Sequence, residues 1–372
     1  MAEFNEHDGR GGRERGRGGR DMRRPNRDEQ REERRREAAR HTGLMKAAFG
    51  RETDEAIENA RIYEEGEGRA LLWGAEAAAA ARVAKAAAEM AEADAEGAQA
   101  GNEEACEAAE IAEEAAEAAE EAADPDGAAG AAPTATETTV KVVTSFAPEA
   151  LYRDATGKTM IVDPGAFTRP GGAYEDGAFG PEQILCSESN LYPILVAHKR
   201  DFYDKNRDYR RGSLFTDRAL YVPEVLFSRG GDVRRADVLV IAEPIRAYAL
   251  ENHRSERECD KALADRIETI FRVAAANGAE TLIMGAFGCG RNGYPVEQVI
   301  ELIQNWIAEH PGAVPNVVFA VPRMHADAFR EAFGAPEPER PAPVVVAEGE
   351  NDREGDDEDW RNVELPEGVT LR

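Results

Sequence analysis

The chain has 372 residues and a formal charge of −27, which disfavours nucleic-acid or anionic-membrane binding by the body of the protein but leaves room for a local cationic pocket. Cys106, Cys186, Cys259 and Cys289 lie far apart with no CxxC or Cys/His cluster, so neither a zinc site nor a disulfide framework is expected, and single thiols fit a reducing cytoplasm. No apolar run reaches the roughly 18 residues of a membrane span, and the charged head lacks the apolar segment of a signal peptide; the expectation is a cytoplasmic protein with no membrane partner.

Residues 1–30 mix Arg, Gly and acids and predict a disordered head. Its triplets Arg10-Gly11-Gly12 and Arg17-Gly18-Gly19 are of the kind that binds RNA by charge and Arg stacking, although the interleaved acids favour a solubilising role. Residues 31–69 read as N-terminal helices packing on the core. Ala38, Leu44, Met45 and Phe49 supply an apolar face, and a second short helix is expected over 55–63. Residues 70–135 form an Ala/Glu-rich insert and linker; helix propensity there is very high, but an alanine stripe buries little area. Asp124-Pro125-Asp126-Gly127 ends that helix.

The globular pattern runs from 136 to 334. Strands are expected over 138–146, 159–162, 237–242, 281–285 and 316–321, with a proline-punctuated strand pair over 219–227. Helices are expected over 181–206 (bent near Pro193), 260–277, 295–309 and 326–333. The continuous apolar run 237–242 marks a strand buried on both faces. Strands alternating with helices define an α/β fold, with helices on both faces of a mixed or mainly parallel sheet. Residues 335–372 are Pro-rich and then acidic, and predict a disordered tail.

Two segments carry the candidate chemistry. Ile161-Val162-Asp163-Pro164-Gly165 leaves a buried strand and runs on through Arg169-Pro170-Gly171-Gly172-Ala173. Gly285-Ala286-Phe287-Gly288-Cys289-Gly290-Arg291-Asn292-Gly293 leaves a second strand and enters the helix after Pro295. Glycines let backbone N–H groups approach phosphate oxygens, and a helix N-terminus adds a favourable dipole. In an open α/β sheet such loops lie at the carboxyl ends of strands, where ligands bind. Neither loop has the spacing of a dinucleotide-binding or P-loop fingerprint, which argues against a Rossmann dehydrogenase or a P-loop NTPase.

Taken as an ordered set, several motifs resemble the bacterial-type (microbial) poly(ADP-ribose) glycohydrolase family, a macrodomain relative. They are Pro170-Gly171-Gly172, Pro181-Glu182-Gln183 with Leu185-Cys186, Ser189-Asn190-Leu191-Tyr192, Phe215-Thr216-Asp217, the segment from Asp237 to Glu243-Pro244, and Gly285 to Gly290. The resemblance implies a macrodomain-like three-layer α/β/α fold. It also implies an activity: hydrolysis of ribose–ribose O-glycosidic bonds of ADP-ribose polymer, with no metal or cofactor. ADP-ribose, poly(ADP-ribose) or an ADP-ribosylated protein would be the partner. Asp163, Arg169, Gly171, Gly172 and Ala173 would belong to the distal-ribose loop, and Phe287, Gly288, Cys289, Gly290, Arg291, Asn292 and Gly293 to the diphosphate loop. Glu182 and Gln183 fall on the catalytic motif.

The resemblance also implies departures: Asp163 falls where an Asn is usual, and Arg169 where a polar residue, often Asn, is usual. Ala173 replaces a third glycine, and a Cβ there disfavours positive φ. Asn292 and Arg291 occupy a place where the family often has an aromatic residue. Gln183 stands where the family carries its catalytic glutamate, and an amide cannot deliver a proton near neutral pH. Arg291 is equally suited to a phosphate partner or to solvent, and Tyr174 and Tyr294 to stacking on adenine or to core packing. A hydrolase, a binding module that no longer cuts, and a scaffold built on the Ala/Glu helix remain as readings.

Overall fold

The computed structural model describes residues 26–74 and 137–334. The Arg/Gly head through residue 25, the Ala/Glu insert from residue 75 and the acidic tail from residue 335 lie outside the described residues. Seven strands form one mixed sheet in the order β1-β4-β5-β3-β6-β7-β2. These are β1 (Arg61–Tyr63), β2 (Thr139–Val143), β3 (Thr159–Asp163), β4 (Ala219–Arg229), β5 (Asp232–Ile241), β6 (Thr281–Met284) and β7 (Asn316–Ala320). The run β5-β3-β6-β7-β2 is parallel, while β1 and β4 close one side antiparallel.

The pleat sorts side chains to two faces. Met160, Val162, Leu239 and Leu282 enter one apolar cluster with Leu263, Ile267 and Phe271 of α7 (Glu256–Ala276), Ile303 of α8 (Val296–Glu309) and Phe329 of α9 (Arg323–Phe333). Ile161, Val238, Val240 and Ile283 enter the other. Their partners there are Ala38 of α1 (Arg27–Ala48), Ala56 of α2 (Gly50–Glu58), Leu151 of α3 (Ala147–Asp154), Leu185 of α4 (Pro181–Ser187) and Leu195 of α5 (Leu191–Ala197). Helices thus cover both faces, as the macrodomain-like α/β/α expectation required. A short helix α6 (Arg246–Glu251) follows β5.

Several local expectations are corrected. The expected helix over 55–63 ends at Glu58, because Arg61–Tyr63 pairs with β4 and buries Tyr63. The expected strand pair over 219–227 is one strand. Pro223 has no N–H to give a ladder, and the register shifts between Val222 and Val225 with Glu224 at φ 56°. β5 starts five residues before the apolar run, where exposed Val233, Arg234 and Arg235 carry no burial signal. The expected long helix over 181–206 is cut after Ser187. There buried Asn190 turns its side chain to the backbone N–H of Leu226 and to Thr53, and Ser189 bridges to Phe227. Helix α3 was missed because its apolar stripe is only three residues long.

The segment before the insert is clamped by two buried charged side chains at the start of β4. Asp217 accepts from Arg69 at 2.6 Å and from the Gly66 backbone, while Arg218 forks onto Glu64 at 2.5 and 3.0 Å. Arg218 also donates to Asn206, whose amide donates to the Phe167 carbonyl at 2.8 Å. This chain of bonds ties the N-terminal segment to the loop that follows β3.

Candidate functional site

The three central strands β5, β3 and β6 lie side by side and parallel, so their carboxyl ends open at one edge. Both glycine loops leave from this edge, as ligand loops of open α/β sheets do. Asp163 ends β3, fully buried, and neither of its carboxyl oxygens has a hydrogen-bond partner among the described residues. Glu182, in the first turn of α4, is 4% exposed; it accepts from the Ala166 backbone at 2.9 Å through Oε2, while Oε1 has no partner. The two acids meet over Gly165. A Cβ at that position would lie 3.5 Å from Glu182 Oε1 and 3.7 Å from Asp163 Oδ2.

A third acid completes the group. Glu243 follows β5, accepts from the Gly288 N–H at 2.7 Å and from the Asn292 amide at 2.5 Å, and so holds the second glycine loop in shape. Burial pushes the Glu243 carboxyl up to about 7, partly offset by these two donors. Burial also raises Asp163, with repulsion from Glu243 adding to it. Burial followed by repulsion from Asp163 raises Glu182 well above the ordinary carboxylate range. Asp163 and Glu182, both buried and facing one another over Gly165, disfavour each other's ionised form. Buried acids that keep their protons near neutral pH are the groups that donate to a leaving oxygen.

The linkage has a definite sign. These acids bind protons more tightly folded than unfolded, so stability is fullest below the ordinary carboxylate range near pH 4. It is lost as pH rises toward 7 to 8. The thermal midpoint is expected to fall between pH 5 and pH 8, and Asp163→Asn to make the fall shallower; each proton contributes about 1.4 kcal/mol per pH unit. Equal slopes in the two proteins, by scanning calorimetry, would contradict the buried ionisable Asp163.

The remaining expected site residues fall as follows. Gly171, Gly172 and Ala173 all have positive φ (63°, 52° and 72°), so alanine takes the left-handed conformation it disfavours, with the turn imposed by its neighbours. Gln183 lines a groove of about 410 Å³ between α1 and α4, and its amide donates to the carbonyls of Gly171 and Gly172 at 3.0 and 3.2 Å. Arg169 is exposed and pairs with Glu175 and Asp176 at 3.2 and 2.6 Å. In the second loop Phe287 is buried in the core, Arg291 is exposed and Asn292 is committed to Glu243. Burial pushes the Cys289 thiol up to about 12, which keeps it protonated and un-nucleophilic. Gly288 is packed against Leu263 and Tyr294, whereas a Cβ on Gly290 would meet nothing nearer than His325 at 4.0 Å. Gly293 ends the loop at φ 89°. Tyr294 donates to the Cys259 carbonyl, and Tyr174 packs 5.0 Å from Tyr192, both buried.

Glu243 was within reach of the sequence, as an acid directly after a doubly buried strand and before a proline. The motif from Asp237 to Pro244 contains it, but sequence alone assigns it no role. Among the described residues no group of three His, Cys, Asp or Glu is disposed to hold a metal ion, and no helix is long and apolar enough to cross a membrane.

A mixed sheet covered on both faces, with two glycine loops and a buried acid cluster at the carboxyl ends of its central strands, defines a macrodomain-like α/β protein. Residues 44–230 match the family model of the microbial-type PARG (poly(ADP-ribose) glycohydrolase) catalytic domain, and the chain belongs to that family. The match includes the first loop, Glu182 and Gln183, and stops before the second loop. Among solved structures, poly(ADP-ribose) glycohydrolase from Thermomonospora curvata aligns with TM-score 0.54 and 21% identity, over 82% of this chain and 98% of that one. The same enzyme bound to the inhibitor ADP-HPD gives 0.54 and 20%, over 82% and 98%. The Deinococcus radiodurans enzyme in complex with ADP-ribose gives 0.52 and 18%, over 76% and 97%. At these identities the likeness is one of fold. No curated protein matches the chain in sequence.

Proposed function

We propose that the chain binds ADP-ribose across its two glycine loops, as the terminal unit of the polymer or as a group on a protein, in a reducing cytoplasm. The observation that carries this reading is the buried acid cluster between the loops, in which both Asp163 carboxyl oxygens and Glu182 Oε1 lack partners among the described residues. Buried polar atoms without partners are rare, and a ligand's hydroxyls would satisfy them. The second loop, whose Gly288 N–H is held by Glu243, would meet the diphosphate with those of its backbone N–H groups that are not bonded within the loop.

Cleavage of a ribose–ribose bond requires a proton for the leaving oxygen and a water for the anomeric carbon, which passes through an oxocarbenium-like state. Water's oxygen bonds to that carbon, and its released proton passes to a carboxylate. Glu182, whose burial and Asp163 neighbour disfavour its ionised form, is the acid this chain offers. Gln183 offers only an amide, and this favours a second reading in which binding outlasts catalysis. Calorimetric titration with ADP-ribose, followed by incubation with labelled polymer, separates the two. Saturable binding with slow release supports the first reading, and binding with no release the second. Absence of binding by the folded protein overturns both.

A further inference from the structure

A second cleft, of about 690 Å³, begins at Thr168, Arg169 and Pro170 of the first glycine loop and extends beyond it to residues of 192–210. Arg169, Lys199, Arg207 and Arg210 line it, with Glu175 as the acid among its lining residues. In a chain of charge −27 a cleft with this excess of cations is the exception, and a concave wall focuses such a field. Arg169 is neutralised by Glu175 and Asp176, and Arg207 by Asp204 at 2.9 Å. Lys199 and Arg210 are exposed and have no ion pair among the described residues. Unpaired cations lining a cleft attract an anion.

The position of the cleft names the anion. Its Tyr192 wall packs directly on Gly171, where a Cβ would sit 2.7 Å from the ring. The Gly171 carbonyl on that same turn receives the Gln183 amide. One residue of backbone therefore separates the cleft from the catalytic position. A polymer held by its terminal unit in the glycine loops continues past the scissile bond into a further unit, which carries its own diphosphate.

We propose that this cleft holds the diphosphate of the polymer unit adjoining the terminal one, through Lys199 and Arg210, so that the protein prefers chains to free ADP-ribose. The proposal rests on the reading of the glycine loops as the terminal-unit site. The two cations leave that site untouched, being neither in the loops nor bonded to the acid cluster.

The test compares dissociation constants for ADP-ribose and for a purified two-unit ADP-ribose oligomer, with the oligomer's integrity checked after each titration. The intact protein is expected to bind the oligomer at least about tenfold more tightly, with a steeper loss on raising salt. The double variant Lys199→Glu/Arg210→Glu is expected to lose that excess and to keep the affinity for ADP-ribose. Equal affinities for the two ligands in the intact protein overturn the proposal, as does an excess that survives in the variant. A short single-stranded oligonucleotide of equal charge that displaces the oligomer at equal concentration also overturns it, in favour of a nucleic-acid site. Failure of the intact protein to bind ADP-ribose is a different result and strikes the reading of the glycine loops.

Discussion

Replacing Gln183 by glutamate is expected to raise the rate of ADP-ribose release from polymer by roughly 10²–10⁴, the usual worth of a positioned general acid. The expectation rests on the partners the side chain already has. The Gln183 amide donates to two carbonyl oxygens, those of Gly171 and Gly172. An ionised carboxylate there would face two acceptors and no donor, so the introduced acid is favoured in its protonated form, which can donate to one of them. The glutamine thus occupies, as a permanently neutral donor, the geometry of a protonated acid without its transferable proton. Initial rates on labelled polymer, with ADP-ribose affinity measured in parallel, check the point. An unchanged rate in a variant that folds and binds would mean that position 183 is not what limits the chemistry.

Arg218→Ala is expected to cost about 3 kcal/mol of stability, read as a lower urea midpoint. The guanidinium is 1% exposed; it forks onto Glu64, donates to the Phe202 carbonyl at 3.4 Å and to Asn206, and sits 5.5 Å from the Phe202 ring. Truncation leaves a cavity and strands the Asn206 carbonyl, while Glu64, largely exposed, can turn to water. The same change slackens the bond from Asn206 to Phe167, so the loop after β3 should loosen and ADP-ribose affinity should fall with stability. Glu64→Gln, which removes only the exposed partner, is expected to cost no more than about 1 kcal/mol. Equal losses in the two variants would contradict the buried clamp.

Much of this was legible along the chain where local physics and tertiary structure agree. The apolar runs of β3, β5 and β6 announce strands buried on both faces, and the glycines after β3 and β6 announce the loops. What failed was decided by distant partners. Arg61–Tyr63 is a strand only because β4 offers it an edge, and the expected helix past Ser187 ends because Asn190 bonds to Leu226 and Thr53, far away in sequence. The site divides in the same way. Asp163 and Glu182 stand on recognisable motifs, but their crowding with Glu243 depends on the lateral order of three strands, which no spacing reveals. The bond from Asn292 to Glu243 likewise joins residues far apart in sequence, which no local pattern marks. The cationic cleft draws on 168–175 and 192–210, two stretches in which acids interleave with the bases and hide the charge that folding gathers on one wall.

The central claim is that the edge between the two glycine loops is the ligand site, and Gly290 tests it most directly. Its φ is 68°, but a Cβ there would meet nothing nearer than His325 at 4.0 Å, so Gly290→Phe adds bulk to the site at the cost of about 1 kcal/mol of backbone strain. In calorimetric titrations with ADP-ribose, the parent protein is expected to bind one equivalent and Gly290→Phe, still folded by its thermal midpoint, to lose at least about tenfold in affinity. Unchanged affinity in the folded variant would contradict the assignment.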